Sequence, residues 1–224
     1  CRDMDFLWKD IVGVCSAANI VPSGDTACGF ANTALAMAEQ GLIPHVLAAV
    51  VRVGTVPRSY RAYEAGAVGP SKDCAYEGPY MKAAYGVPIS MEGRTAACAH
   101  LSSVGNVAQA ACDAWSNESV QNVRLLSTWA PVVSLEQLAY DCRLMNTVLG
   151  RGEEASLLLR DALADSDAPL NPQARVLHPA VVLKLSRRIQ EEKTPYLQTR
   201  RALREACREL SEASRSGVLR VAAR

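Results

Sequence analysis

Aromatic side chains are scarce in this chain. Seven Tyr, three Trp and two Phe stand among 224 residues. A core built on stacked rings is excluded, so Ala, Val and Leu must fill the interior. Net charge is nearly absent too: 24 Lys and Arg face 23 Asp and Glu, leaving +1. That balance gives no electrostatic footprint for nucleic acid or an anionic membrane. Long apolar runs are missing. The longest, Val46–Val51, falls far short of the roughly 20 residues a membrane-spanning helix needs. The first ten residues, CRDMDFLWKD, are charged and lack the apolar middle of a secretion signal. A cytoplasmic location is the expectation. No repeat or low-complexity tract is present.

What is there reads as an ordinary globular chain, 49% apolar and 21% charged. Its length suffices for one or two domains with a sizeable core. It opens at Cys1, inside what reads as a helix over residues 1–15 (Phe6, Leu7, Ile11 and Val12 at helical spacing). We therefore expect it to begin inside a longer protein. Ala17–Val21 reads as a short strand feeding the polar turn Pro22-Ser23-Gly24-Asp25-Thr26. Residues 29–40 read as a helix stopped by Gly41, and a second helix runs from Pro44 to about Val53. Residues 63–78 read as a Gly-rich loop, Tyr80–Tyr85 as a short helix, and Val87–Met91 as a strand ending at Glu92-Gly93. This alternation predicts parallel α/β architecture. In a barrel of that class, chemistry sits on loops at the carboxyl ends of strands.

From residue 103 the chain reads as mostly helical. Val104, Val107, Ala108, Ala111, Cys112 and Trp115 share one face. Ser134-Leu135-Glu136-Gln137 is a capping box opening the next helix, whose apolar face is Leu135, Leu138, Ala139, Cys142, Met145 and Leu149. Residues 151–224 are charged amphipathic helix with turn signals at Ala168-Pro169 and Thr194-Pro195.

Eight cysteines are many for this length. A disulfide-stapled secreted protein is one reading, but such proteins are smaller and richer in loops. Reduced thiols, some of them metal ligands, fit better. Cys112, Cys142 and Cys207 fall on apolar helix faces and read as core. Cys15 closes the first helix and reads as packing, while Cys1 has no assignable role. Cys28 and Cys74 differ. Each ends a polar, turn-forming stretch with an Asp close upstream, Asp25 and Asp73. Such loops expose a thiol, and a helix N-terminus or cation beside it favours the thiolate that binds metal. Their wide separation matches no short zinc-finger spacing. Cys98, near a loop-to-helix junction, is a weaker candidate.

Five strings carry more than composition: SGDTAC at 23–28, PRSYRAYEAGAVGPSKDCAYEGPYMKA at 57–83, ISMEGRTAACAH at 89–100, DAWSNESVQ at 113–121 and LAYDCRLMNT at 138–147. In this order they resemble the methanol–cobalamin methyltransferase B subunit family, over roughly residues 15–150. The resemblance implies the C-terminal part of a TIM (β/α)8-type barrel in residues 1–150, followed by a helical extension in 151–224. It implies a methyltransferase with one zinc ion, held by two cysteines and a glutamate. The cysteines fall on Cys28 and Cys74; the glutamate belongs upstream of Cys1 and has no counterpart here. Methanol is a poor methyl donor because hydroxide leaves badly. A three-ligand zinc site keeps an open position where a Lewis acid can polarise the alcohol oxygen. The methyl group would pass to the cobalt(I) corrinoid (cobamide) of a partner protein, and the resemblance also implies a homodimer. Another methyl donor with the same zinc chemistry, or a non-catalytic fragment lacking the upstream ligand, are the alternatives.

Other polar residues admit two uses. Asp25 and Asp73 either orient the ligand loops or cap turns. Glu64, Glu77 and Glu92 sit in matching strings and either approach the metal or serve as structural or solvated carboxylates. His100 either handles protons or is hydrogen-bonded in place. His45 and His178 sit among apolar residues and carry no signal. Arg200, Arg201, Arg204 and Arg208 read as a solvated helix face.

Overall fold

Among the described residues, three short strands form one sheet. The computed structural model describes residues 1–25, 28–72, 77–87, 89–90, 103–111, 140 and 143–220, some of them by backbone alone. β1 (Ser23–Asp25), β2 (Gly69–Lys72) and β3 (Ile89–Ser90) form a parallel sheet in the order β1-β2-β3. Ser23 stands opposite Gly69 and Asp25 opposite Lys72, with an irregularity between; Ser71 pairs with Ile89 and Lys72 with Ser90. Parallel neighbours need crossover connections, and helices supply them. α2 (Cys28–Glu39) and α3 (His45–Glu64) lie between β1 and β2, and α4 (Gly78–Tyr85) between β2 and β3.

Several local expectations change in the structure. α1 (Arg2–Ala17) runs past residue 15, and Asn19 then takes a left-handed φ of 55°. That conformation suits Asn and ends the helix. The expected strand at Ala17–Val21 does not form: Ile20 and Val21 lie exposed. The strand is instead Ser23–Asp25, inside the stretch read as a turn. Likewise 69–72, read as loop, is the central strand. Pairing on both edges defines β2, and side-chain pattern does not.

α3 departs furthest from expectation. It continues beyond Val53 to Glu64 with Pro57 inside it. An interior proline removes one ladder bond and crowds the preceding turn. Burial offsets this, because α3 is the central helix. Val53, Val56 and Tyr60 are fully buried, each apolar side chain contributing about 1.5–3 kcal/mol. Ala31, Ala34, Leu35 and Ala38 of α2, spaced three and four apart, form its buried face. Left-handed glycines, Gly41 after α2 and Gly86 after α4, stop those helices.

Val104, Val107, Ala108 and Ala111 share the buried face of α5 (Ser103–Gln109) and the turn after it, as expected. Cys112, Trp115 and the capping box at 134–137 lie outside the described residues, as does Cys142. Residues 143–149 are helical. Four helices follow: α6 (Glu153–Asp167), α7 (Pro172–Arg175), α8 (Pro179–Gln190) and α9 (Pro195–Arg215). Both turn signals hold. Asn171, His178 and Thr194 each cap a helix by accepting a backbone N–H, with Pro at the following position. α7 and α9 pack on α3, and α8 packs on α4 and α9. At Gly54 the approach is so close that a Cβ would meet the Leu203 Cδ2 at 2.6 Å.

Cys207 is exposed, against the core reading. The buried face of α9 is Gln198, Ala202, Glu205, Ala206, Glu209, Leu210 and Ala213, and Cys207 points away from it. Two glutamates occupy that face because cations meet them. Arg175 donates to Glu209 Oε1 at 2.8 Å and Lys184 to Oε2 at 2.7 Å. Arg201 and Arg208 pair with Glu192 and Glu205 respectively, while Arg200 and Arg204 are exposed, as a solvated face requires. No helix among the described residues is long and apolar enough to cross a membrane.

Burial alone would raise the Glu209 carboxyl, but hydrogen bonds from Lys184 and Arg175 outweigh it and hold it below its ordinary value. Its stabilisation is therefore present above the unfolded carboxyl range and is lost as pH falls through the lower folded value. Glu209→Gln should destabilise by about 3 kcal/mol near pH 7, from breaking a buried ion pair. In urea unfolding the gap from the parent should close progressively below about pH 4.

Candidate functional site at the strand carboxyl ends

In open and closed parallel sheets, ligands gather where the strands end. Here the ends are Asp25, Lys72 and Ser90, side by side through the register Asp25↔Lys72↔Ser90. The chain leaving Asp25 reaches Cys28, which opens α2. The chain leaving Lys72 carries Asp73 and Cys74, and the chain leaving Ser90 carries Glu92, Cys98 and His100. In sequence, Cys28, Asp73, Cys74, Glu92, Cys98 and His100 thus come after strands that are neighbours in the sheet, and Glu64 does not. Cys74, Asp73, Glu92, Cys98 and His100 themselves lie outside the described residues, and Cys28 and Asp25 are described by backbone alone. Among the described residues no three His, Cys, Asp or Glu side chains gather as a metal site.

Cys28 is the first residue of a 12-residue helix.

Glu77 is a site feature whose partners sequence reasoning missed. It is fully buried, so of the two bland expectations, a solvated or a structural carboxylate, the structure matches the structural one. Its Oε1 accepts from the Thr55 hydroxyl and its Oε2 from the Ser59 hydroxyl, both on α3. Arg52, one turn earlier and also fully buried, donates to the Gln173 side chain at 3.1 Å. Arg52, Thr55 and Ser59 form a polar stripe at helical spacing on the buried side of α3. The signal was present, but it is visible only once the helix extends past Val53.

Glu64 sits elsewhere. It takes hydrogen bonds from Arg61 at 2.7 Å and from the Tyr85 hydroxyl at 2.8 Å. It is a structural carboxylate. Burial, and then that hydrogen bond, push the Tyr85 phenol far above its ordinary value. Tyr85 stacks on Tyr63, with centroids 5.8 Å apart and planes 14° from parallel, and meets Tyr60 edge-on at 5.1 Å. Three of the seven tyrosines thus pack together, Tyr63 among them reaching the sheet. Tyr63 presses against β1: a Cβ on buried Gly24 would stand 3.0 Å from the ring. Tyr80, fully buried, donates to the Val176 carbonyl at 2.6 Å, tying α4 to the chain after α7. His178 accepts from the Ala180 N–H, and its Nε2 lies 3.0 Å from Asp165; it is a cap.

The chain as a whole has known relatives. The family model of the methanol-cobalamin methyltransferase B subunit matches residues 1–224. The methanol–corrinoid protein co-methyltransferase of Methanosarcina barkeri is 38% identical over 214 residues, covering 94% of this chain and 46% of that protein. The crystal structure of a methanol:cobalamin methyltransferase complex, MtaBC, from Methanosarcina barkeri superposes with a TM-score of 0.80 at 38% identity. That match covers 98% of this chain and 48% of the other. The chain spans about half the length of the relatives it matches.

Gly24→Ala tests the aromatic brace. The added methyl must displace Tyr63 or β1, and overpacking of this kind costs about 1–3 kcal/mol. Thermal unfolding should show the loss, and Gly24→Ala combined with Tyr63→Leu should recover part of it.

Proposed function

The chain belongs to the methanol–cobalamin methyltransferase B subunit family, and on that basis we propose that within the full-length protein it helps transfer the methyl group of methanol to the cobalt(I) corrinoid of a partner protein, using zinc held by Cys28 and Cys74. One observation carries this reading. Asp25 and Lys72 are registered partners on neighbouring parallel strands, so the segments bearing the two cysteines leave the sheet side by side. Cys28 lies three residues beyond one end and Cys74 two beyond the other. Two or three residues span at most about 7–11 Å, so both thiols start within reach of a common point.

The donor set suits the metal. Zinc favours thiolates, and the helix start at Cys28 favours that form. A glutamate from a preceding segment would complete three ligands and leave one position open. Bound there, zinc would supply Lewis-acid polarisation of the alcohol oxygen. The chain's own work is positioning. β1 and β2 hold the two thiols at adjacent strand ends, and the buried packing of α3 beneath them keeps those ends from drifting. The partner's cobalt(I) corrinoid would supply the nucleophile that accepts the methyl group, and the hydroxide left by the alcohol would be protonated. In this reading residues 1–150 are part of a TIM-type barrel and 151–224 a helical extension. The corrinoid-binding partner docks over the strand ends, the catalytic subunit pairs as a homodimer, and the reduced thiols and cobalt(I) suit the cytoplasm.

In full-length protein, Cys28→Ser and Cys74→Ser should each lose most of the bound zinc by metal analysis. Each should also slow methylation of cob(I)alamin by methanol by on the order of 100-fold or more. Unchanged zinc in both variants refutes the ligand assignment. Faster turnover with a methoxylated donor than with methanol refutes the choice of substrate.

A further inference from the structure

We propose that Glu77 is a positioning residue for the zinc site, fixing the segment that carries Cys74 to α3 through the Thr55 and Ser59 hydroxyls. The inference rests on the zinc reading above and adds a residue to it. Only four residues, 73–76, separate the end of β2 from Glu77. Both boundaries are held. Lys72 is the end of the central strand, paired on one side with Asp25 and on the other with Ser90. Glu77 is fully buried, and each of its carboxylate oxygens accepts a hydroxyl from α3.

The bland use of a carboxylate at this place is to cap the helix it precedes. Glu77 does occupy the N-cap position of α4, but its side chain makes no capping bond. It reaches across to α3 instead. Two hydroxyls on one carboxylate fix both its direction and its rotation, which a single contact would not. Desolvating a carboxylate is unfavourable unless its bonds are satisfied, so the tie holds in one geometry or not at all. Cys74 stands three residues before this tie, and a thiol aimed at a tetrahedral metal tolerates little drift.

The same helix holds the other cysteine's strand. Tyr63, two turns on from Thr55 and on the same buried side, presses on Gly24 of β1, four residues before Cys28. α3 therefore contacts Glu77, three residues after Cys74, and Gly24, four residues before Cys28. Its buried polar and aromatic stripe of Thr55, Ser59 and Tyr63 fixes where Glu77 stands relative to Gly24.

The test uses full-length protein freed of metal. Zinc affinity is measured by competition with a chromophoric chelator, and cobalt(II) serves as a spectroscopic probe of thiolate coordination. Glu77→Gln and the double variant Thr55→Val, Ser59→Ala should each weaken zinc by about 10–100-fold. Each should also reduce the thiolate-to-cobalt charge-transfer band, while Thr55→Ser, which keeps the hydroxyl, should match the parent. Thr55→Val alone, nearly isosteric, covers the case in which the double variant fails to fold; it should still weaken zinc measurably. If Cys74→Ser loses zinc but Glu77→Gln keeps parental affinity and cobalt spectrum and loses only thermal stability, the positioning role is overturned and the ligand reading stands. If Cys74→Ser itself binds zinc like the parent, both fall together.

Discussion

Asp25 and Lys72 face each other across two parallel strands, and the chemistry proposed for this chain depends on that pairing. A parallel ladder fixes direction as well as distance: both strands deliver the chain to the same edge of the sheet. Ser90 of the third strand joins the row. Three peptide segments, separated by long stretches of sequence, thus emerge together. None of the strands is longer than four residues, so hydrogen bonding within the sheet cannot by itself hold it. The sheet persists because helices cover it.

α3 does most of that covering. α1, α2, α4, α7 and α9 all pack on it, and it contacts β1 directly. Its buried face is mixed: Val53, Val56 and Tyr60 supply apolar area, while Arg52, Thr55 and Ser59 supply polar ties. Apolar packing is tolerant of small shifts, whereas a buried hydroxyl–carboxylate bond is not. The division fits their places. Apolar residues stabilise the helix against its neighbours, and polar ones tie it to Glu77 at the start of α4 and to Gln173 of α7.

The C-terminal helices extend the same scheme. α9 lies along α3, and its buried Glu209 is met by Arg175 from α7 and Lys184 from α8. Glu209 thereby joins three helices at one point. The core is continuous from Met4 of α1 to Leu219 beyond α9, so the charged tail of the chain is part of what keeps α3 in place.

Much was legible in the amino-acid sequence alone. Caps and stops at Thr194-Pro195 and Gly41, and the helical spacing of Val104, Val107 and Ala108, are local signals carrying their own physical causes, and the structure follows them. The polar cysteine strings also spoke for themselves, through their likeness to one family. Other features were decided only by tertiary contact. Ser23–Asp25 and Gly69–Lys72 became strands because each found a partner, although neither has the apolar alternation of one. α3 ran through Pro57 because five helices bury it. Glu77 went inside because two hydroxyls were waiting, and Cys207 stayed out because paired glutamates took the inner face. Propensity belongs to a residue and its near neighbours, whereas pairing, burial and charge compensation belong to residues distant in the chain, and only folding brings those together.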